Sequence, residues 1–387
     1  MRTITVALLA TVVAVLAGCS SDDRADARGA ASPASKTPAS AETATLIERC
    51  DGALGRGAAW LLSQQKPDGT FGAPAEVGKT GLVLMAILGS PDAAKLRETD
   101  AVNRAVAYLV SMRQPDGSIN TPDEKGLANY QTSAALSALC AYNDPAHQKL
   151  RDGARDFLLG IQNKEGTDFG SWGYNRDRRG DLSNTQFTLE ALKAAGLDEK
   201  SEAFKNCLAF LQRTQNRSES NDQPWATNDG GAIYYPGSSK AGTITLADGR
   251  VVYKSYGSMT YALLRGYVLT GLKPDDPRVQ AAQKWLAENY TLGQNPGMPE
   301  DQKLQGLYYY YLSMAKALAL LKSPTMDHPD GSKLPWAKDL AEKLIPLQDK
   351  DGSWVNNAMR WMEDDKILAS SYALIALGEC RAMLAGP

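Results

Sequence analysis

One grammar recurs about six times along this chain. An apolar helix ends in glutamine, a loop carries glycine and an aromatic residue, and a second apolar helix follows a polar residue. The first unit runs through Leu54, Ala58 and Leu61-Leu62 to Gln64-Gln65, turns at Lys66-Pro67-Asp68-Gly69, passes Phe71-Gly72 and resumes near Thr80. The second runs from Ala105 to Met112, turns at Gln114-Pro115-Asp116-Gly117 and restarts at Tyr130-Gln131-Thr132. The third holds Phe157 to Gln162, the loop Gly170-Ser171-Trp172-Gly173-Tyr174 and the helix start Asp181-Leu182-Ser183-Asn184-Thr185-Gln186-Phe187. The fourth has a long glycine-rich insertion, 216–254, before Ser258; the fifth leads into Gly306-Leu307 and Tyr308 to Tyr311; the sixth runs from Leu340 through Asp351-Gly352-Ser353-Trp354 to a helix from Ser370.

The units lie roughly 50–65 residues apart, and each helix pair leaves an apolar face that only a neighbouring pair can cover. An open array needs polar terminal units. Neither the first nor the sixth unit is polar, so the array is expected to close on itself. The fold expected is all-α: an α/α toroid of about twelve helices in two concentric rings, its inner helices parallel and starting at the glycine-loop face. Thr80, Thr132, Ser183, Ser258 and Ser370 are expected to cap inner helices, with Asn184 an alternative to Ser183. The insertion is expected to cover the mouth of the ring.

Residues 1–19 read as a targeting segment: Arg2, an apolar run from Ile4 to Leu16, then Leu16-Ala17-Gly18-Cys19 as a lipobox. Cys19 is then the lipidated mature N-terminus and the membrane the first partner, the outer membrane in a double-membraned cell because Ser20 follows. Residues 20–43 are rich in Ala, Ser, Pro, Thr and Asp and read as a disordered tether; the toroid occupies 44–387. With 42 Lys+Arg against 44 Asp+Glu and no basic block, nucleic acid is not an expected partner. Sixteen Tyr against six Phe point to a wet aromatic surface.

Gln-x(n)-Asp-Gly-x-aromatic resembles the QW-type repeat of squalene and oxidosqualene cyclases and of protein prenyltransferase β subunits. Gln64/Gln65 with Asp68-Gly69-Thr70-Phe71 and Gln348 with Asp351-Gly352-Ser353-Trp354 match best; Gln114 with Asp116-Gly117-Ser118-Ile119 is looser. Asp181 to Thr185 is similar to the Asp-x-Asp-Asp-Thr motif of squalene–hopene cyclases, whose middle aspartic acid protonates an alkene. That position is Ser183 here and the next is Asn184, so the resemblance implies the scaffold without the initiating acid. Asp181 is expected to cap or position. The prenyltransferase likeness implies zinc, but His147 and His328 both lie in turn sequences, so neither a metal nor any cofactor is expected.

Six helix N-termini at one mouth favour an anionic ligand group there. The candidate ligand contacts are Tyr130, Gln131, Asp181, Ser183, Asn184, Gln186, Tyr256, Tyr308, Tyr309 and Trp361; one or two of Tyr308 to Tyr311 should face the lumen. Two functions fit. One is a protein that binds a small molecule, lipid or glycan in the central cavity. The other is an isoprenoid- or glycan-active enzyme using carboxylates such as Asp181 and Asp365, the latter part of a charge run before the sixth inner helix. Cys50 and Cys380, on the first outer and last inner helices, are expected to pair or lie close; Cys140 and Cys207 are expected to be buried free thiols.

Overall fold

The computed structural model describes residues 40–176 and 178–386; the expected lipidation site Cys19 and most of the expected tether lie outside them. Helix pairs follow one another: α1 (Ala41–Ser63) with α2 (Glu76–Leu88); a short connector, α3 (Ala93–Arg97); α4 (Asp100–Ser111) with α5 (Ala128–Tyr142); α6 (Gln148–Gly160) with α7 (Leu182–Ala194); α8 (Glu202–Thr214) with α9 (Gly257–Leu269); α10 (Pro277–Glu288) with α11 (Leu307–Ala319); and α12 (Trp336–Leu344) with α13 (Lys366–Leu384). The second member of each pair packs on the second member of the next, and α13 packs back on α2, so the ring closes. This is the α/α toroid expected.

Burial separates the two rings. In α4 the buried residues Val102, Ala105, Val106, Tyr108 and Leu109 form one stripe, the pattern of a helix with one side in water. In α9 every residue but Val268 is buried, which requires neighbours all round. Of the described helices α13 has the length and apolarity to cross a membrane, and more than half of it is buried in the ring.

The repeated glutamines tie the rings together. Gln65 Nε2 donates to the carbonyls of Gly69 at 3.2 Å and Ala101 at 2.8 Å. Gln162 does the same to Gly170 and Ala203, both at 2.8 Å, and Gln215 to Gly230 at 3.0 Å and Arg278 at 2.9 Å. Each thus fastens its loop glycine to the start of the next outer helix. Gln348 closes the seam, donating to Gly352 at 3.0 Å and to Ala53 of α1 at 2.9 Å. Gln114 departs, bonding within its own loop to Met112 at 2.9 Å and Asn120 at 3.0 Å. Glycine is required in these loops: Gly352 has φ +96°, and a Cβ there would stand 2.7 Å from the Arg56 carbonyl oxygen.

The hydroxyl residues do not cap the inner helices. Helices α2, α5 and α13 begin at Glu76, Ala128 and Lys366, so Thr80, Thr132 and Ser370 stand about one turn inside. The buried Thr80 hydroxyl has no hydrogen-bond partner among the described residues, while the others hold the preceding loop. Thr132 Oγ1 accepts from Ile119 N–H at 3.0 Å, Thr185 from Trp172 at 3.1 Å, Thr260 from Ala232 at 3.0 Å and Ser370 from Trp354 at 2.8 Å. Ser258 Oγ accepts instead from the Asn295 side chain at 3.1 Å. The loop aromatics then fill the space between rings: Trp172 and Trp354 are fully buried and donate Nε1–H to Leu158 and Leu344 at 2.7 and 2.9 Å.

Two boundaries differ from the sequence reading, and the insertion has strands. Helix α1 begins at Ala41 under a Ser40 cap, before residue 44, and α12 begins at Trp336 rather than near Leu340. The insertion contains an antiparallel hairpin, Thr243–Thr245 with Val251–Tyr253, and a second short hairpin pairs Met326–Asp327 with Lys333–Leu334.

Candidate functional site

At the glycine-loop end Asp181 is the organising residue. It is the N-cap of α7, accepting from Asn184 N–H at 2.9 Å, so the cap is neither Ser183 nor Asn184. Asn184 Nδ2 donates to its second oxygen at 2.8 Å, and Asn129 Nδ2 reaches Asn184 Oδ1 at 3.3 Å. Asp181 is 2% exposed. Burial pushes its carboxyl up to about 6, and the hydrogen bonds from Asn184 and Tyr234 only partly oppose this.

The insertion lies over this point, as expected. Leu182 N–H donates to the Tyr234 carbonyl at 2.9 Å, and the Arg179 guanidinium stacks on Tyr235, 4.1 Å from its ring centre.

Below the cap the lumen is bridged by side chains. Tyr309 of α11 donates its hydroxyl to Ser183 Oγ of α7 at 2.9 Å and accepts from Gln186 Nε2. The Tyr130 and Tyr372 hydroxyls meet at 3.3 Å. Phe187 stands between these pairs, 4.7 Å from the Tyr130 ring centre and 6.3 Å from that of Tyr309. Four of the expected ligand contacts therefore touch one another or Phe187: Tyr130, Ser183, Gln186 and Tyr309.

The remaining candidates have structural tasks. Gln131 is fully buried and accepts from Thr121 N–H at 3.1 Å, holding its own loop. Tyr256 is 2% exposed, and Tyr308 is buried edge-on against Tyr311. Of the four consecutive tyrosines only Tyr309 joins the luminal cluster; Tyr310 and Tyr311 point outward, donating to Thr291 and Leu292 carbonyls at 2.8 and 2.6 Å. Trp361 sits on a surface turn with φ +61°, packed over Gly306. Asp365 is the N-cap of α13, accepting from Ile367 N–H at 2.8 Å, and pairs at 2.9 Å with Lys79, which is 3% exposed. Its carboxylate is committed to a helix end and a buried cation. His147 ends a short helical turn, and His328 lies 2.8 Å from Asp330 in a second hairpin loop.

Open space lies at the other end. A cavity of about 430 Å³ opens where the inner helices finish, lined by Met85, Leu88, Cys140, Leu374, Ile375 and Glu379 among others. Glu190 and Lys316 also line it. Glu190 pairs with Arg265 at 2.6 Å and with Lys316. Burial opposes the charge on Glu190, but Arg265 and Lys316 outweigh it and bring the carboxyl down to about 2. Burial pushes the Glu379 carboxyl up, against the pull of Lys316 and Arg265. The sequence reading missed this end. Its signal was four charged residues at 190, 265, 316 and 379, in or beyond the middle of helices otherwise nearly free of charge.

Of the two alternatives for Cys50 and Cys380, pairing or proximity, the structure has proximity. Cys50 and Cys380 lie near each other on packed helices α1 and α13, yet both are free thiols. Burial raises the Cys50 thiol to about 11 and the Cys380 thiol well above its ordinary range. Cys207 is buried and free as expected; Cys140 is free but only half-buried, at the cavity wall.

No protein-family model matches this chain, and no curated protein matches it. Solved structures do. Apo type II terpene cyclase MstE from Scytonema superposes with TM-score 0.56 and 14% identity over 87% of this chain and 99% of its own. A variant of that cyclase in complex with geranylgeranyl dihydroxybenzoate, its substrate, gives 0.55 and 12% over 88% and 99%. A protein from Actinoplanes gives 0.53 and 16% over 86% and 99%. This chain is thus similar in fold to type II terpene cyclases, with the likeness running over nearly the full length of those structures.

Proposed function

We propose that this chain is a lipid-anchored protein of the cell envelope that binds a small amphiphile inside its toroid and does not carry out protonation-initiated cyclisation. One observation carries the reading: the hydroxyl of Ser183, at the position of the cyclase proton donor, is spent on Tyr309, while the open cavity lies at the opposite mouth. A serine hydroxyl is far too weak an acid to protonate an alkene. Asp181, two residues earlier, is engaged in capping α7. The cavity lining is mostly hydrocarbon with a few charged groups, which suits an amphiphile. Support by analogy comes from the geranylgeranyl-bearing substrate held by a cyclase of this fold. The anchor rests on the lipobox ending at Cys19.

Native mass spectrometry of the purified full chain is the test. A co-purifying amphiphile, lost on filling the cavity with Leu374→Trp, supports the reading; an empty protein from every membrane extract opposes it. Cys19→Ala should release the protein from membranes, and unchanged fractionation would remove the anchor from the proposal.

A second reading has one observation in its favour. Asp181, raised to about 6 among tyrosines, has the character of a general acid or base. It lacks a free partner, because Asp365 is paired with Lys79.

A further inference from the structure

Among the described charged groups that line the cavity, Glu379 has no ion pair, whereas Glu190 and Lys316 pair with each other. Glu379 projects from α13 among Leu374, Ile375 and Ala382. The other carboxylate of the cavity, Glu190, is held by Arg265 and Lys316. Both of these cations are close enough to act on Glu379 electrostatically, yet neither forms an ion pair with it among the described residues. A half-buried carboxylate facing an apolar cavity calls for a hydrogen-bond donor.

We propose that this mouth binds an aliphatic alcohol-headed amphiphile, its chain on Met85, Leu88, Leu374 and Ile375 and its hydroxyl donating to the Glu379 carboxylate. The proposal rests on the reading of the toroid as an amphiphile-binding protein and names the head group. Charge balance selects that head. Arg265 and Lys316 offset Glu190 and Glu379, so the four groups sum to zero. A neutral hydroxyl leaves that balance intact. An ammonium head adds a positive charge beside Lys316, and a carboxylate head adds a negative charge beside Glu379; either leaves an unbalanced charge in a poorly solvated place. A hydrogen bond to a charged acceptor is stronger than one between neutral groups, so the alcohol gains most from the ionised form of Glu379.

Cys140 supplies a reporter, because it lines the cavity and is half-buried whereas Cys50, Cys207 and Cys380 are buried. The full chain is alkylated with N-ethylmaleimide at pH 8 in the presence of n-decanol, decylamine or decanoic acid, and the rate at Cys140 is read by peptide mass. Decanol should slow alkylation at a concentration about tenfold below that needed by either charged analogue. Glu379→Gln should weaken decanol protection about tenfold and leave the remaining cluster net positive, so decanoic acid should become the best of the three. If that variant does not fold, the ranking on the unsubstituted chain decides alone. Equal protection by all three probes overturns the assignment to Glu379 and leaves an amphiphile-binding cavity standing. No protection by any probe overturns both.

Discussion

Tyr309 and Ser183 meet hydroxyl to hydroxyl at 2.9 Å although α9 stands between their helices in the ring. The contact runs across the lumen and closes it at this level. It also holds the Ser183 side chain as part of the wall. With Gln186 added, one tyrosine hydroxyl serves two polar groups of α7.

Tyr309→Phe removes both bonds and leaves buried Gln186 short of a partner. It should destabilise the protein by about 1–3 kcal/mol in urea unfolding. The coupling with Ser183→Ala in a double-mutant cycle should exceed ~0.5 kcal/mol. Strict additivity would mean that the two hydroxyls do not interact in solution.

Asp181 gives a pH signature of defined sign. Its carboxyl rises from 3.8 unfolded to about 6 folded, so the folded state holds the proton more tightly. The resulting stabilisation is fully present below pH 3.8 and is lost as pH rises through about 6. Relative to Asp181→Asn, the unsubstituted protein should lose on the order of 2–3 kcal/mol between these limits and change little above them. Subtracting the two stability–pH curves cancels the common groups. A flat difference would show that the carboxyl titrates normally.

Lys79 and Asp365 join α2 to the start of α13 at the ring seam. Asp365→Ala should cost about 2–4 kcal/mol, because it removes a helix cap and strands a buried ammonium; the partial exposure of Asp365 keeps the loss below that of a fully buried pair. Adding Lys79→Met should recover part of that loss, with thermal unfolding as the measure. No recovery would leave the cap as the whole effect and the ion pair without net weight.

The ring was legible because its cause is local and repeated. Gln65, Gln162, Gln215 and Gln348 recur at matching places and make the same pair of bonds in four units, so a pattern in one dimension carried over to three. Helix starts were misjudged because a hydroxyl one turn inside a helix and a hydroxyl at its cap look alike in sequence. Thr132 and Ser370 bond to the loop that precedes them, a partner that only the folded chain brings near. The cavity end was invisible for a related reason. Glu190, Arg265, Lys316 and Glu379 share no motif or spacing, and they meet only because four inner helices end at one mouth.

The purified protein incubated with squalene in detergent should yield no cyclic product. Two conditions for alkene protonation are missing at the glycine-loop end: a carboxylic acid at position 183 and space for the substrate beside it. Tyr130, Phe187, Tyr309 and Tyr372 occupy that space. Ser183→Asp supplies the first condition alone. The new carboxyl would face the Tyr309 hydroxyl, which can hydrogen-bond to it and hold it ionised, the wrong state for a proton donor. Asn184, next to it, brings no carboxylate to partner a new acid. The single variant should therefore remain inactive, and adding Tyr309→Ala to open the lumen should not be enough. Cyclic products above a heat-killed control, from the unsubstituted chain, would sink this account and make Asp181, already raised to about 6, the first acid to replace with Asn.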